Sequence, residues 1–154
     1  MWDRLKNFCY NAGVGGDKIS NLYYRLNPTN LQNMCLLDKI KTHNLILMIG
    51  TNDIYKDNIE EIMINYKFLI EFLLNTKKKI IIFGIIPINS DIYYNKTKLL
   101  NIKIKELCEE YKLEYHYFGD YLTKNNYCDL EHINSSGYDI WFQYLQNIVF
   151  NKRL

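Results

Sequence analysis

The segment Lys79 to Ile86 is the part of this chain that most restricts its fold, because five of its eight residues are isoleucine. Isoleucine is enriched in β-strands, and a strand that is apolar on both faces has to be covered on both sides. The segment Asn44 to Ile49 has the same character. Strands of this kind are typical of parallel sheets, in which helices cover the two sides. These two segments therefore predict a parallel sheet inside an α/β domain.

Helical patterns alternate with strand candidates along the chain. Apolar residues at helical spacing predict helices over Ile19 to Leu26, Asn33 to Lys41, Ile59 to Leu74, Leu100 to Tyr111 and Tyr138 to Val149. Further strand candidates are Phe8 to Asn11 and Glu114 to Phe118. This alternation predicts a three-layer α/β/α sandwich with a parallel sheet, of the flavodoxin-like kind. No linker or repeat interrupts the pattern, so we expect residues 1–154 to form a single domain.

The composition excludes several classes of protein. The net charge is +2 and the lysines are dispersed apart from Lys77 to Lys79, so we expect no nucleic-acid partner. No apolar run reaches the length of a membrane span and the first residues do not resemble a signal peptide, so we expect a cytoplasmic protein. The four cysteines include no CxxC pair, which favours unpaired thiols over a disulfide framework.

Three polar clusters lie at or near the carboxyl ends of strand candidates, where the loops of a parallel sheet form the ligand crevice. The first runs from Asn11 to Asp17 and contains Gly13, Gly15 and Gly16. A glycine-rich turn that leads into a helix exposes backbone N–H groups suited to an anion, and Asp17 can cap that helix. A dinucleotide fingerprint needs glycine where Lys18 stands, which rejects that interpretation. A turn whose glycines serve only the backbone conformation remains an alternative.

The second cluster is Gly50-Thr51-Asn52-Asp53, directly after the apolar segment Asn44 to Ile49. Asn52 can place an amide N–H₂ donor over the crevice. Asp53 can hold the loop in place by accepting hydrogen bonds from backbone amides. The alternative is an ordinary Asx turn.

The third cluster is Asp129-Leu130-Glu131-His132. A carboxylate three residues before a histidine can bond one ring nitrogen, fix the tautomer and leave the other nitrogen free as a general base. A surface salt bridge is the alternative. Metal binding through Cys128, Asp129 and His132 lacks a second pair of ligands at metal spacing, so we expect no metal, and nothing in the sequence indicates another cofactor.

Together these clusters, in this order, resemble the SGNH (GDSL) hydrolase family. The matching blocks are Asn-x-Gly-x-Gly-Gly-Asp, Gly-Thr-Asn-Asp and Asp-x-x-His-x-Asn-x-x-Gly-Tyr, and the first is most similar to the platelet-activating-factor acetylhydrolase branch. The resemblance covers essentially the whole chain and implies hydrolysis of a small-molecule carboxylic ester. It implies that Gly16 and Asn52 donate hydrogen bonds to an oxyanion, that His132 is the general base and that Asp129 orients it.

One block of that family does not occur in the sequence. The resemblance implies a first strand ending in Gly-Asp-Ser, whose serine is the nucleophile, and the 154 residues contain no Gly-Asp-Ser. We therefore expect an N-terminally incomplete domain without its first strand and with little or no esterase turnover as it stands. Two alternatives stay open. One is a non-catalytic SGNH-like binding module, and the other is a flavodoxin-like domain that binds phosphate at the Gly13 to Asp17 turn.

Position along the chain supports two further expectations. The segment Asp91 to Lys98, rich in tyrosine and asparagine, is the expected substrate loop. In the family, the first strand lies between those that correspond to Phe8 to Asn11 and Asn44 to Ile49. Without it these strands either pair directly or leave unpaired edges, which favours self-association into a homo-oligomer.

Overall fold

The computed structural model describes residues 9–27, 36–39 and 42–149. Its helices are α1 (Ile19–Leu26), α2 (Leu36–Lys39), α3 (Thr51–Ile54), α4 (Ile59–Leu74), α5 (Asp91–Glu110) and α6 (Ser135–Val149). Its strands are β1 (Asn44–Leu47), β2 (Lys79–Phe83) and β3 (Glu114–His116), and 3₁₀ turns follow at Gly119–Tyr121 and Lys124–Asn126. Within these ranges, none of the helices combines the length and apolar character that crossing a membrane requires.

The three strands form one parallel sheet in the order β1-β2-β3. Leu45 lies opposite Ile80 in the first ladder, and Ile82 lies opposite Tyr115 in the second. The connection from β1 to β2 contains α4, and the connection from β2 to β3 contains α5. Parallel strands need crossovers of this kind. The predicted parallel sheet is therefore confirmed, although β1 and β2 end at Leu47 and Phe83, before the ends of the apolar segments.

The side chains of β2 alternate between two apolar cores on opposite faces of the sheet. Ile80 and Ile82 pack into the larger core, which buried residues of α1, α4 and α5 complete. Ile81 and Phe83 pack into the smaller core, which includes Leu145 of α6. Because successive residues of a strand face opposite sides, β2 is covered on both. The three-layer α/β/α architecture is therefore confirmed.

Asn101 is a buried polar residue of α5 that satisfies the backbone just beyond the end of β2. Its Nδ2 donates to the carbonyl oxygen of Ile85 at 2.9 Å, and its Oδ1 accepts the N–H of Ile85 at 2.8 Å. Both bonds are buried, and β2 has already ended at Phe83. A buried N–H or C=O without a partner is costly. The amide of Asn101 therefore supplies the two hydrogen bonds that a neighbouring strand would otherwise make with Ile85.

Strand β1 lies at an edge of the sheet as far as the structure describes the chain. Ile46 is 37% exposed, whereas its ladder partner Ile81 is 4% exposed. The predicted strand from Phe8 to Asn11 is wrong for the part that can be seen: Phe8 lies outside the described residues, and residues 9–11 form no strand. The side chain of Asn11 instead accepts the N–H of Gly13 at 3.0 Å, a local bond that competes with strand pairing.

Two helices begin differently from the prediction. Lys18 rather than Asp17 occupies the N-cap position of α1, since the carboxylate of Asp17 forms an ion pair with Arg25. The segment Asp91 to Lys98 is also not a loop as predicted, because these residues form the beginning of α5. Ser90 precedes the helix in an extended conformation. Asp91 then places a negative charge at the positive end of the helix dipole, which favours a helix start at this point.

Candidate active site

The turn from Asp129 to His132 holds a carboxylate against an imidazole ring. Asp129 Oδ2 lies 2.7 Å from His132 Nδ1, and Asp129 Oδ1 accepts the backbone N–H groups of Glu131 and His132, each at 2.7 Å. An ionised carboxylate can only accept, so the hydrogen-bond network assigns the proton of the neutral ring to Nδ1 and leaves a lone pair on Nε2. The His132 side chain is 70% exposed. The carboxylate of Asp129 therefore orients the ring through Nδ1, and the ring is open to solvent.

These hydrogen bonds lower the pKa of Asp129 to about 2, below its ordinary value of 3.8, the backbone N–H of His132 making the largest contribution. Since the pKa is lower in the folded chain, ionised Asp129 stabilises the turn above its ordinary pKa, and that contribution is lost as the pH falls toward about 2.

We expect the carboxyl ¹³C resonance of Asp129 to titrate with a midpoint of about 2. In His132→Ala the backbone donors remain, so the midpoint should rise only part of the way. A wild-type midpoint near 3.8 would contradict the network.

Backbone hydrogen bonds close the segment around His132. Tyr127 and Ile133 form an antiparallel bridge, and Cys128 N donates to the carbonyl oxygen of His132 at 2.9 Å. The side chain of Asn134 then accepts N–H groups from the first turn of α6. His132 thus lies between the Tyr127–Ile133 bridge and the capped start of α6. These two features fix its backbone on both sides, while its ring stays accessible.

Asn52 lies beside the Gly16–Asp17 segment, although the two are far apart in the sequence. Asn52 Nδ2 donates to the carbonyl oxygen of Asp17 at 2.9 Å. An amide group has two N–H donors, so one remains for a further acceptor. Gly16 has a φ of +81°, a left-handed conformation that favours glycine. Its N–H has no acceptor among the residues that the structure describes. The structure therefore places the Asn52 side chain against the segment that contains Gly16.

The buried carboxylate of Asp53 connects α1 to α3, the short helix that carries Asn52. Asp53 is 1% exposed, and its two oxygens accept the backbone N–H of Ile19 at 3.3 and 3.2 Å. This N–H lies at the start of α1, where the helix itself supplies no acceptor. Burial raises the pKa of Asp53, and the hydrogen bond from Ile19 opposes that rise. The prediction that Asp53 accepts a bond from the backbone is confirmed, but the amide belongs to another element rather than to its own loop.

Three basic side chains that the sequence patterns did not single out support the same region. Arg25 forms the ion pair with Asp17, and Lys18 Nζ lies 2.8 Å from Asp57 Oδ2. Lys96 Nζ donates to the carbonyl oxygen of Asp57 at 2.7 Å. These contacts mostly join elements that are distant in sequence, and no local motif signals them.

Tyr55 connects the two halves of the site. Burial raises the pKa of Tyr55, and the neighbouring carboxylate of Glu131 adds to that rise. Tyr55 comes three residues after Asn52, and Glu131 directly precedes His132. The ring of Tyr55 also packs edge-on against Tyr93, with centroids 4.7 Å apart. Tyr55 therefore lies between the segment that carries Asn52 and the His132 turn.

The arrangement contains a base and hydrogen-bond donors, but among the described residues no serine hydroxyl is hydrogen-bonded to His132. The hydroxyl of Ser136 donates to Asn134 Oδ1 at 2.7 Å and accepts from Asn126 at 2.9 Å. Across the described ranges, no three side chains of the His, Cys, Asp and Glu types gather as a metal site requires. The chemistry that the His132 turn supports is proton transfer at His132 Nε2.

Comparison with known proteins relates this geometry to solved structures. No protein-family profile matches the sequence, and no curated protein does. An acetyl xylan esterase, AlAXEase, has a similar structure with a TM-score of 0.79 at 19% identity, over 97% of this chain and 88% of its own. A GDSL-like lipase from Bacteroides thetaiotaomicron has a TM-score of 0.76 at 18% identity, over 99% of this chain and 80% of its own.

A member of the lipolytic G-D-S-L family from Veillonella parvula is similar as well. Its TM-score is 0.69 at 22% identity, over 90% of this chain and 77% of its own. At these identities the likeness establishes the fold. The chain therefore has the α/β fold of GDSL and SGNH esterases, as the order of its three polar blocks predicted.

Proposed function

We propose that this chain is the larger part of an SGNH-type hydrolase that cleaves carboxylic esters of small molecules. The observation that carries the proposal is the bond of 2.7 Å between Asp129 Oδ2 and His132 Nδ1, which orients the ring and leaves Nε2 to accept a proton. The shared fold supports the proposal, since the similar structures include an esterase and a lipase.

In this mechanism His132 accepts the proton of a serine hydroxyl as the serine oxygen attacks the ester carbonyl. It then returns the proton to the leaving alcohol, while Asp129 orients the ring and stabilises its charged form. The carbonyl oxygen becomes negative in the tetrahedral intermediate. The remaining N–H of the Asn52 amide and the N–H of Gly16 donate to that oxygen, and one such donor typically contributes about 3 kcal/mol.

The serine nucleophile, in this proposal, lies in a Gly-Asp-Ser block outside the 154 residues, on a strand that pairs with β1. The edge position of β1 and the exposed Ile46 support this arrangement, because a further strand with its own helix would cover both. The resemblance of the block from Asn11 to Asp17 to the platelet-activating-factor acetylhydrolase branch supports an acetylhydrolase-like activity.

The test joins a strand ending in Gly-Asp-Ser to Met1 and measures hydrolysis of p-nitrophenyl acetate. We expect the joined chain to hydrolyse the ester and its serine-to-alanine variant to lose that activity. The 154-residue chain should retain only the acceleration that oxyanion donors and binding provide, roughly 10³–10⁴ over water. A soluble, folded series of joined chains with different linker lengths, all without serine-dependent turnover, would contradict the proposal.

A non-catalytic binding module is the second candidate, and the sequence without Gly-Asp-Ser favours it. It predicts that the 154-residue chain binds a small ester without hydrolysing it. It also predicts that joining the Gly-Asp-Ser strand adds no hydrolytic activity. Protein-observed NMR with ethyl acetate, followed over hours, separates the two. Binding shifts without release of acetate from the joined chain identify the module.

A further inference from the structure

The helix that carries Asn52 is too short to hold its own shape. Helix α3 has four residues, which is about one turn, and a single turn has too few internal hydrogen bonds to be stable alone. The position of α3, and with it the position of the Asn52 amide, therefore depends on contacts with other elements.

The start of α1 supplies contacts on one side of α3. Asn52 Nδ2 donates to the carbonyl oxygen of Asp17 at 2.9 Å, and Lys18 Nζ lies 2.8 Å from Asp57 Oδ2. Both contacts join the segment that follows the glycine turn to residues in α3 or just after it. They hold α3 against the start of α1.

Lys96 of α5 supplies contacts with the end of α3. Its Nζ donates to the carbonyl oxygen of Ile54, the last residue of the helix, and to that of Asp57 at 2.7 Å. The last carbonyl groups of a helix have no donor within the helix, so an outside donor satisfies them. Lys96 is half-buried, and among the described residues it forms no ion pair with a carboxylate. The end of α3 is therefore what its ammonium group binds.

Asp57 connects these two sets of contacts. Its carboxylate meets Lys18 of α1, and its carbonyl oxygen meets Lys96 of α5. The end of α3 is thus held from both helices, only a few residues from Asn52. A displacement of about 1 Å in a group that acts on the reacting atoms can lower a rate by about 10²-fold, even when its cause lies away from the chemistry.

We propose that Lys96 is a positioning residue for Asn52. By binding the end of α3, it fixes the direction in which the second N–H of the Asn52 amide points. Lys96 itself touches neither the ester nor the reacting atoms. The inference rests on the proposed function and deepens it, since that mechanism requires Asn52 to donate to the oxyanion.

The first measurement replaces Lys96 by methionine in the chain joined to the Gly-Asp-Ser strand. Methionine removes the ammonium group but keeps a long side chain that favours helix. We expect kcat for p-nitrophenyl acetate to fall by about 10–100-fold, with KM changed by less than about twofold, because the oxyanion exists only after attack. Lys103→Met is the matched control, since Lys103 is half-buried on the same helix and does not donate to α3. It should leave kcat within about twofold.

A double-mutant cycle with Asn52→Ala separates positioning from a general loss of stability. A residue that acts through Asn52 has little left to act on once that amide is gone, so Lys96→Met should then lower kcat by less than about twofold. A general loss of stability would lower kcat by the same factor in both backgrounds. Equal factors would therefore overturn the proposal.

NMR of the 154-residue chain tests the same role without turnover. In the unsubstituted chain, the ammonium protons of Lys96 should exchange with water more slowly than those of Lys105, whose side chain is 60% exposed. In Lys96→Met the side-chain amide resonances of Asn52 should shift, while the N–H of buried Ile82 in β2 keeps its protection from exchange. Exchange at Lys96 as fast as at Lys105, or unshifted Asn52 resonances, would overturn the proposal.

The two kinds of measurement distinguish this inference from the hydrolase itself. Shifted Asn52 resonances together with an inactive joined chain would count against the hydrolase alone. Turnover that is insensitive to Lys96→Met would count against the role of Lys96 alone.

Discussion

Replacing His132 by alanine is expected to remove almost all ester hydrolysis from the chain joined to a Gly-Asp-Ser segment. In serine hydrolases the loss of the general base lowers kcat by on the order of 10⁴–10⁶-fold, because the serine hydroxyl is then not deprotonated during attack. The fold should not change, since the His132 side chain is 70% exposed and the backbone bonds of the turn do not involve it. The measurement is kcat for p-nitrophenyl acetate, with the circular dichroism spectrum as a check on folding.

His43→Ala is the matched control for this experiment. His43 is also exposed, and its backbone carbonyl rather than its ring accepts a hydrogen bond from Lys79. Its replacement should leave kcat within about twofold of the value for the unsubstituted joined chain. Substitutions of exposed side chains away from buried or functional groups have small effects. Equal losses in the two histidine variants, or full activity in His132→Ala, would remove His132 from the mechanism.

Replacing Asn101 by leucine is expected to lower the free energy of unfolding by about 2–6 kcal/mol. The substitution leaves both the N–H and the C=O of Ile85 buried without their partner, and each such group costs about 1–3 kcal/mol. Leucine has a similar size, so a packing defect adds little. Chemical denaturation with urea gives the change directly.

Asn95→Leu provides the comparison on the same helix. Asn95 is exposed on α5, so its replacement should change the free energy of unfolding by less than about 0.5 kcal/mol. If Asn101→Leu is as mild as Asn95→Leu, the buried amide does not replace a strand partner at Ile85.

Local patterns were sufficient to predict the layers of the fold. The isoleucines of β2 alternate between two cores, so a run that is apolar on both faces carries enough information to predict a covered parallel strand. Residues 9–11 show where this reasoning fails. An apolar pattern does not specify a partner strand, and a short side-chain bond from Asn11 competes with pairing.

The candidate site was predictable where its contacts are local. Asp129 and His132 are three residues apart, so their spacing alone predicts the hydrogen bond that the structure contains. The bond from Asn52 to Asp17 and the proximity of Tyr55 to Glu131 depend on how distant elements pack. The segment Asp91 to Lys98 was mistaken for a loop because its one buried residue, Thr97, is polar and does not mark an apolar stripe.

The bridge between Tyr127 and Ile133 closes the short segment that contains the paired Asp129 and His132. A pair formed within one short turn needs little loop closure, so it can form early in folding and persist when distant elements separate. The donors of the proposed oxyanion site depend instead on contacts between distant segments, such as the bonds from Ile19 to Asp53 and from Asn52 to Asp17. In the proposed mechanism, partial unfolding that releases α1 would therefore leave an oriented imidazole without the donors that stabilise the oxyanion.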